Sequence, residues 1–189
     1  MRTMTTTSAM LLALTASAVL AAPARAQLDR LSVEVRGGAA AGNYAGAASD
    51  FELRPQPSFG AAVAFAATDR VSVYAGYGRS SFGCGTGFCD DRDVTFTSQG
   101  VEAGVRLGLP LPAGPWVSAG LVRHALDAES GGASSRDASG VGVSAGGGLE
   151  VRLGRRLSVT PGVRYVRYGA ADTDGVALLV GDVGLRIRM

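Results

Sequence analysis

The chain has no lysine; all 18 of its basic residues are arginine. It has one histidine, two cysteines and only 6% aromatic residues. Each shortage removes a class of function. Gly131-Gly132, Gly140-Val141-Gly142 and Gly146-Gly147-Gly148 look like fragments of phosphate loops. None precedes a helical pattern and none can supply the phosphate-loop lysine, so nucleotide binding is excluded. Two cysteines without nearby histidines do not make a zinc site. A surplus of positive charge is also missing. Arg2 and Arg25 lie in a leader without acidic residues, so 18 − 2 = 16 basic residues face 16 acidic ones in the remainder. A nucleic-acid-binding chain carries a strong basic balance, and this one does not. Beyond the leader no run approaches the ~18 uninterrupted apolar residues of a transmembrane helix.

What is present points to export. Arg2 gives a positive start, Met10 to Ala22 is an apolar run, and Ala24-Arg25-Ala26 is a small-residue cleavage site. Residues 1–26 therefore read as a cleaved secretory signal, with Gln27 opening a single mature domain, 27–189. The apolar run is too short for a membrane anchor. Export places Cys84 and Cys89, in G-C-G-T-G-F-C-D-D, in an oxidising compartment, where a disulfide is expected. The 28 glycines follow no triplet period and are too many for a helical protein. Glycine weakens a generic strand. A narrow barrel with close backbone packing accounts for so many.

Alternation with a period of two runs through eight segments. The last, Val176–Met189, sets Ala177, Leu179, Val183, Leu185, Ile187 and Met189 against Asp182, Arg186 and Arg188. The sixth, Ser139–Leu153, sets Val141, Val143, Leu149, Val151 and Leu153 against Ser144, Glu150 and Arg152. The others are Leu31–Ala41, Ser58–Ala67, Val71–Arg79, Asp93–Leu109, Trp116–Ala125 and Leu157–Tyr168. Between them lie a loop at Gly42–Pro57, a turn at Thr68–Arg70, the cysteine loop Ser80–Arg92 and a turn at Pro110–Pro115. A polar loop, Leu126–Ala138, a turn at Gly154–Arg156 and a connection at Gly169–Gly175 follow. Long and short connections alternate, as in an up-and-down transmembrane barrel with short periplasmic turns. Period alone does not say which face points outward. The charge-free apolar series, the small-residue polar series and the strand lengths favour apolar-out, the membrane arrangement.

Signal, eight strands, alternating connections and the terminal V-G-L-R-I-R-M resemble the small outer-membrane β-barrels of the OmpA transmembrane-domain and OmpX type. The resemblance implies an all-β, eight-stranded antiparallel up-and-down transmembrane barrel across the whole mature chain. It implies an outer-membrane location, contact with outer-membrane lipid and lipopolysaccharide, assembly by the barrel-assembly machinery, and a monomer. Members usually end on an aromatic residue, whereas this chain ends on Met189. Phe59, Tyr77, Trp116 and Tyr165 are the expected aromatic girdle.

The polar series carries Glu34, Arg36, Glu102, Arg106, Glu150, Arg152, Arg164, Asp182, Arg186 and Arg188. Pointing inward in a narrow lumen, charges of both signs should pair, because an unpaired buried charge is costly. The resemblance implies a similar network that plugs small barrels; an ion path or gate is the alternative. His124 would serve a lipid-hydrolysing barrel as partner to a serine, but no H-x-S occurs, and a solvated residue near a loop rim is the expectation. Asp90, Asp91 and Asp93 flank the cysteine loop, and D-D-R-D does not match a calcium loop. The expected function is a non-enzymatic surface protein, without cofactor or metal, serving envelope integrity or adhesion through its outer loops. A narrow pore for ions or small solutes is the alternative, and a lipid-modifying enzyme a third class.

Overall fold

The computed structural model describes residues 29–44, 55–83, 94–111, 114–130, 133–170 and 173–189. The leader lies outside the described residues, as does the cysteine loop with Cys84, Cys89, Asp90, Asp91 and Asp93.

Every element among the described residues is a strand. They are β1 Leu31–Tyr44, β2 Gln56–Ala66, β3 Val71–Gly83, β4 Val94–Gly108, β5 Pro115–Ser130, β6 Ala133–Leu149, β7 Val151–Arg152, β8 Leu157–Ala170 and β9 Thr173–Arg188. The pairs Gly148–Gly162 and Val151–Val159 share one register, so β7 continues β6 past Glu150. There the Glu150 amide donates to the carbonyl of Gly114 at 2.9 Å. Counting β6 and β7 as one, eight antiparallel strands close on themselves. The seam is β1 against β9, from Ser32–Arg188 to Tyr44–Val176. Full closure leaves no unpaired edge, which a spanning sheet in lipid requires.

The orientation of the faces is now visible. Odd-numbered apolar residues stand outside: Leu121 is 65% exposed, Val141 68% and Ile187 51%. Their even-numbered neighbours Glu34, Glu102, Arg106, Arg164 and Arg186 are buried inside. Such an apolar belt is suited to lipid and far exceeds the patch a soluble monomer tolerates. The aromatic girdle needs one correction. Phe59, Tyr77 and Tyr165 face outward, but Trp116 is only 8% exposed and points into the lumen. Its even number already placed it in the inward series of β5.

The outer-end hairpins also differ from expectation. β3 runs on to Gly83, β5 to Ser130 and β8 to Ala170, while β6 starts at Ala133 and β9 at Thr173. Leu126–Ala138 is therefore not a loop but the upper part of the β5–β6 hairpin, paired from Leu126–Ala138 up to Ser130–Ala133. A register shift at Leu126/Asp127 skips one residue of β6. The physical reason is a change of solvent. Above the lipid a strand no longer needs an apolar outer face, so alternation fades while the hydrogen-bond ladder continues. With 16 and 17 residues, β5 and β6 exceed the roughly 9–11 needed to cross a bilayer. Only residues 45–55 and 84–93 remain as long outer connections; residues 131–132 and 171–172 are short.

Candidate functional site

Inward side chains fill the lumen in layers. Along each strand the order is the same, from the terminal end to the hairpin end. On β4 it is Arg106, Glu102, Ser98, Phe96; on β9 it is Arg188, Arg186, Asp182, Val180, Leu178, Val176.

The lowest layer is built on two carboxylates. Glu34 on β1 accepts from Arg106 on β4 through two bonds, Nη1 to Oε2 at 2.9 Å and Nη2 to Oε1 at 3.2 Å. It also accepts from Arg186 across the seam, at 2.6 Å from Nη2 and 2.9 Å from Nε. Arg186 reaches on to Glu150 at 3.0 Å. Glu150 further binds Arg188 and accepts from the Ser158 hydroxyl at 3.2 Å. The Arg106 guanidinium lies 4.2 Å from the centre of the Trp116 ring. The indole N–H of Trp116 donates to the Leu149 carbonyl at 3.2 Å, so the aromatic face and its polar edge are both used.

The next layer joins Arg164 on β8 to Glu102 on β4 and to Asp182 on β9, the latter at 3.6 Å. Arg36 approaches Glu34 at 3.9 Å. Glu34, Glu102, Glu150 and Asp182 thus face Arg36, Arg106, Arg164 and Arg186, four charges of each sign, with Arg188 at the rim. Arg152 does not join them. It approaches Glu150 at only 3.8 Å, and its side chain is 69% exposed.

Two upper layers were not foreseen. Ser98, His124 and Tyr168 meet in the lumen: the Tyr168 hydroxyl donates to Ser98 Oγ at 2.8 Å, and Ser98 Oγ lies 3.0 Å from His124 Nδ1. His124 is 5% exposed, so it is not a solvated rim residue. It belongs to the inward parity of β5, a signal that the sequence already held. Glycine makes room here. A Cβ on Gly100 would stand 2.1 Å from the Arg123 carbonyl and 2.7 Å from the His124 ring, and one on Gly142 2.0 Å from the Arg167 carbonyl. Above this cluster lies a dry plug of Ala40, Phe82, Phe96, Val122, Leu126, Val166, Val176, Leu178 and Val180. Phe82 and Phe96 stack with ring centres 5.5 Å apart. The lumen is thus polar below and apolar above. The terminal end opens into a mouth of about 960 Å³ bordered by Arg30, Arg70, Glu150 and Arg188.

Comparison with known proteins bears on this arrangement. The family described as outer membrane protein beta-barrel domain matches residues 12–182. The chain belongs to that family. This outer-membrane barrel shares its fold with the neisserial surface protein A, at 16% identity and a TM-score of 0.63, covering 84% of this chain and 97% of that one. It is also similar to the attachment invasion locus protein of Yersinia pestis, solved with the heparin analogue sucrose octasulfate. There the identity is 14%, the TM-score 0.53, and the coverage 83% and 97%. A major outer membrane protein from Thermus thermophilus matches at 13% identity and a TM-score of 0.52, covering 84% and 99%. No curated protein sequence matches the chain. Identities this low show a common fold. In this outer-membrane barrel the Ser98–His124 pair has the elements of a nucleophile and base. Ser98 is fully buried and His124 nearly so, on the lumen side beneath the apolar plug, where the lipid-facing belt gives no access.

Proposed function

We propose that this outer-membrane barrel is a non-enzymatic surface protein with a sealed lumen, acting in envelope integrity or adhesion through its outer hairpins. The observation that carries this is the two-part filling of the interior, four acids balanced by four arginines below and an apolar plug above. Eight strands leave an interior that side chains just fill, and a dewetted apolar constriction stops ions even where a polar path leads to it. Function then falls to the segments that the barrel holds above the membrane. The β5–β6 hairpin is the tallest, with its ladder continuing to Ser130–Ala133. On this reading the chain is exported by its leader, assembled by the barrel-assembly machinery, and stands as a monomer among outer-membrane lipids. Its termini face the periplasm. A Cys84–Cys89 disulfide would tie the β3–β4 connection. The likeness to an attachment invasion locus protein supports a surface role, at the level of shared fold.

A narrow channel is the second reading, and the open mouth at the terminal end favours it. Single-channel recording in planar bilayers decides between them. A sealed barrel gives no discrete conductance, and Phe82→Ala with Leu126→Ala creates one. Steady conductance of the unaltered chain would overturn the sealed-lumen proposal.

A further inference from the structure

The outward face carries three arginines that the lumen network does not use: Arg79 on β3, Arg123 on β5 and Arg167 on β8. All three are exposed, and among the described residues no ion pair engages them. Their placement is systematic. On five neighbouring strands the outward apolar series ends at Tyr77, Val101, Leu121, Val141 and Tyr165. The next outward residue on each is Arg79, Gln99, Arg123, Ser139 and Arg167. The register ties them into one band. Arg79 pairs with Gln99, Val101 with Arg123, Arg123 with Val141, and Val143 with Arg167. The arginines therefore stand on alternate strands, each separated from the next by one strand. That puts neighbouring guanidinium bases about 10 Å apart at the strand spacing of a sheet. Between the first two, the Tyr77 hydroxyl donates to Gln99 at 2.8 Å, and the Gln99 amide donates to the Asp127 carboxylate at 2.6 Å. The opposite flank differs: among the described residues the outward faces of β1, β2 and β9 carry no charge.

We infer that this band is a binding site for the phosphorylated headgroup of an outer-leaflet glycolipid, on one flank of the barrel. The inference rests on the outer-membrane placement with periplasmic termini, and goes beyond the surface role. Three features select this ligand. The arginines sit at the edge of the apolar belt, the depth of a headgroup, and not on the hairpin tips. Guanidinium groups bind phosphate oxygens through paired N–H donors. The apolar residues directly beneath, Leu121 at 65% exposure, Val141 at 68% and Val163 at 53%, offer a surface for the acyl chains of the same molecule. A free phosphate would use only the first half of that site.

The test uses the full mature chain refolded into nanodiscs of a neutral zwitterionic lipid. These are doped with a diphosphorylated disaccharide glycolipid or its dephosphorylated form. Glycolipid retained on the purified protein is measured by mass spectrometry. The unaltered chain should retain the phosphorylated form and not the dephosphorylated one. Each basic residue at an anionic surface contributes about a five-fold preference, so Arg79→Gln/Arg123→Gln/Arg167→Gln should lower the affinity about 100-fold. Arg70→Gln/Arg155→Gln/Arg156→Gln removes equal charge from the terminal-end turns and should leave retention unchanged. A heat-modifiable gel shift verifies that each variant is folded and inserted, which separates loss of the site from loss of the membrane placement. Arg123→Gln alone, about five-fold weaker, serves where the triple variant does not fold. Equal retention by the folded outer variant and the unaltered chain would overturn the inference. So would equal loss in the control variant, or competition by inorganic phosphate or a sulfated polysaccharide as strong as by the glycolipid.

Discussion

Glu34→Gln is the substitution to which the lumen should be most sensitive. Glu34 is 3% exposed and holds two arginines, Arg106 by a bidentate pair and Arg186 across the seam. The amide keeps the volume and one acceptor oxygen, so packing changes little. What changes is charge: the interior falls from four acids against four arginines to three against four. Breaking a buried ion pair by removing one partner costs about 3–5 kcal/mol, because a desolvated charge is left uncompensated. Arg106 also rests on Trp116 and Arg186 also binds Glu150, so neither is wholly stranded. We therefore expect the lower end, about 3 kcal/mol. Urea unfolding in lipid vesicles measures it. Trp116, the single tryptophan, reports on this layer directly. Glu34→Gln/Arg106→Gln should recover part of the loss, with a coupling energy of about 1–3 kcal/mol. A loss under about 0.5 kcal/mol with no coupling would show that water, not the arginines, satisfies Glu34. The buried-network argument would then fail.

Three further outcomes follow from the same geometry. Gly142→Ala forces a Cβ to within 2.0 Å of the Arg167 carbonyl and should sharply lower the yield of heat-modifiable barrel, whereas Gly78→Ala, with open space around it, should not. Val163→Arg, within the outward belt, should cost about 2–4 kcal/mol in vesicle unfolding, while Leu153→Arg, beside the terminal-end turn, should cost about 0–1 kcal/mol. Ser98→Ala strands the buried Tyr168 hydroxyl and should destabilise by about 1–3 kcal/mol while leaving the acyl pattern of membrane glycolipids unchanged. A changed acyl pattern would make Ser98 a nucleophile.

Parity carried most of what the sequence disclosed. In a strand the side chain of residue i and that of i+1 must face opposite ways, so the odd and even series could be assigned before any pairing was known. The same rule reached Trp116 and His124, whose even numbers outweigh the girdle and rim roles that residue type suggested. Parity does not name partners. Glu34 meets Arg106 only through the register of the intervening strands, β2 and β3, and that register is a property of the closed sheet. The hairpin extensions were hidden for a different reason. From Leu126 to Ala138 the composition is polar and small, as in a loop, because water bathes both sides of a ladder that has left the bilayer. The apolar plug was hidden by its contrast with the layer beneath: Val122, Leu126, Val166 and Leu178 occupy the inward series that charges fill lower down.

The seam between β1 and β9 has a consequence in time. Glu34 and Arg186 stand directly opposite in that seam and are 152 positions apart along the chain. Neither has its final partner until the whole barrel has been threaded, so closure is the last and most distant event of folding. A slip of two residues would keep every side chain on its correct face and satisfy the backbone equally well. It would set Glu34 opposite Gly184 or Arg188 and pull Arg106, Arg186 and Glu150 out of alignment. The carboxylate at the start of the molecule thus works as a proofreader for its end, rejecting misaligned closures that the hydrogen-bond ladder alone would accept.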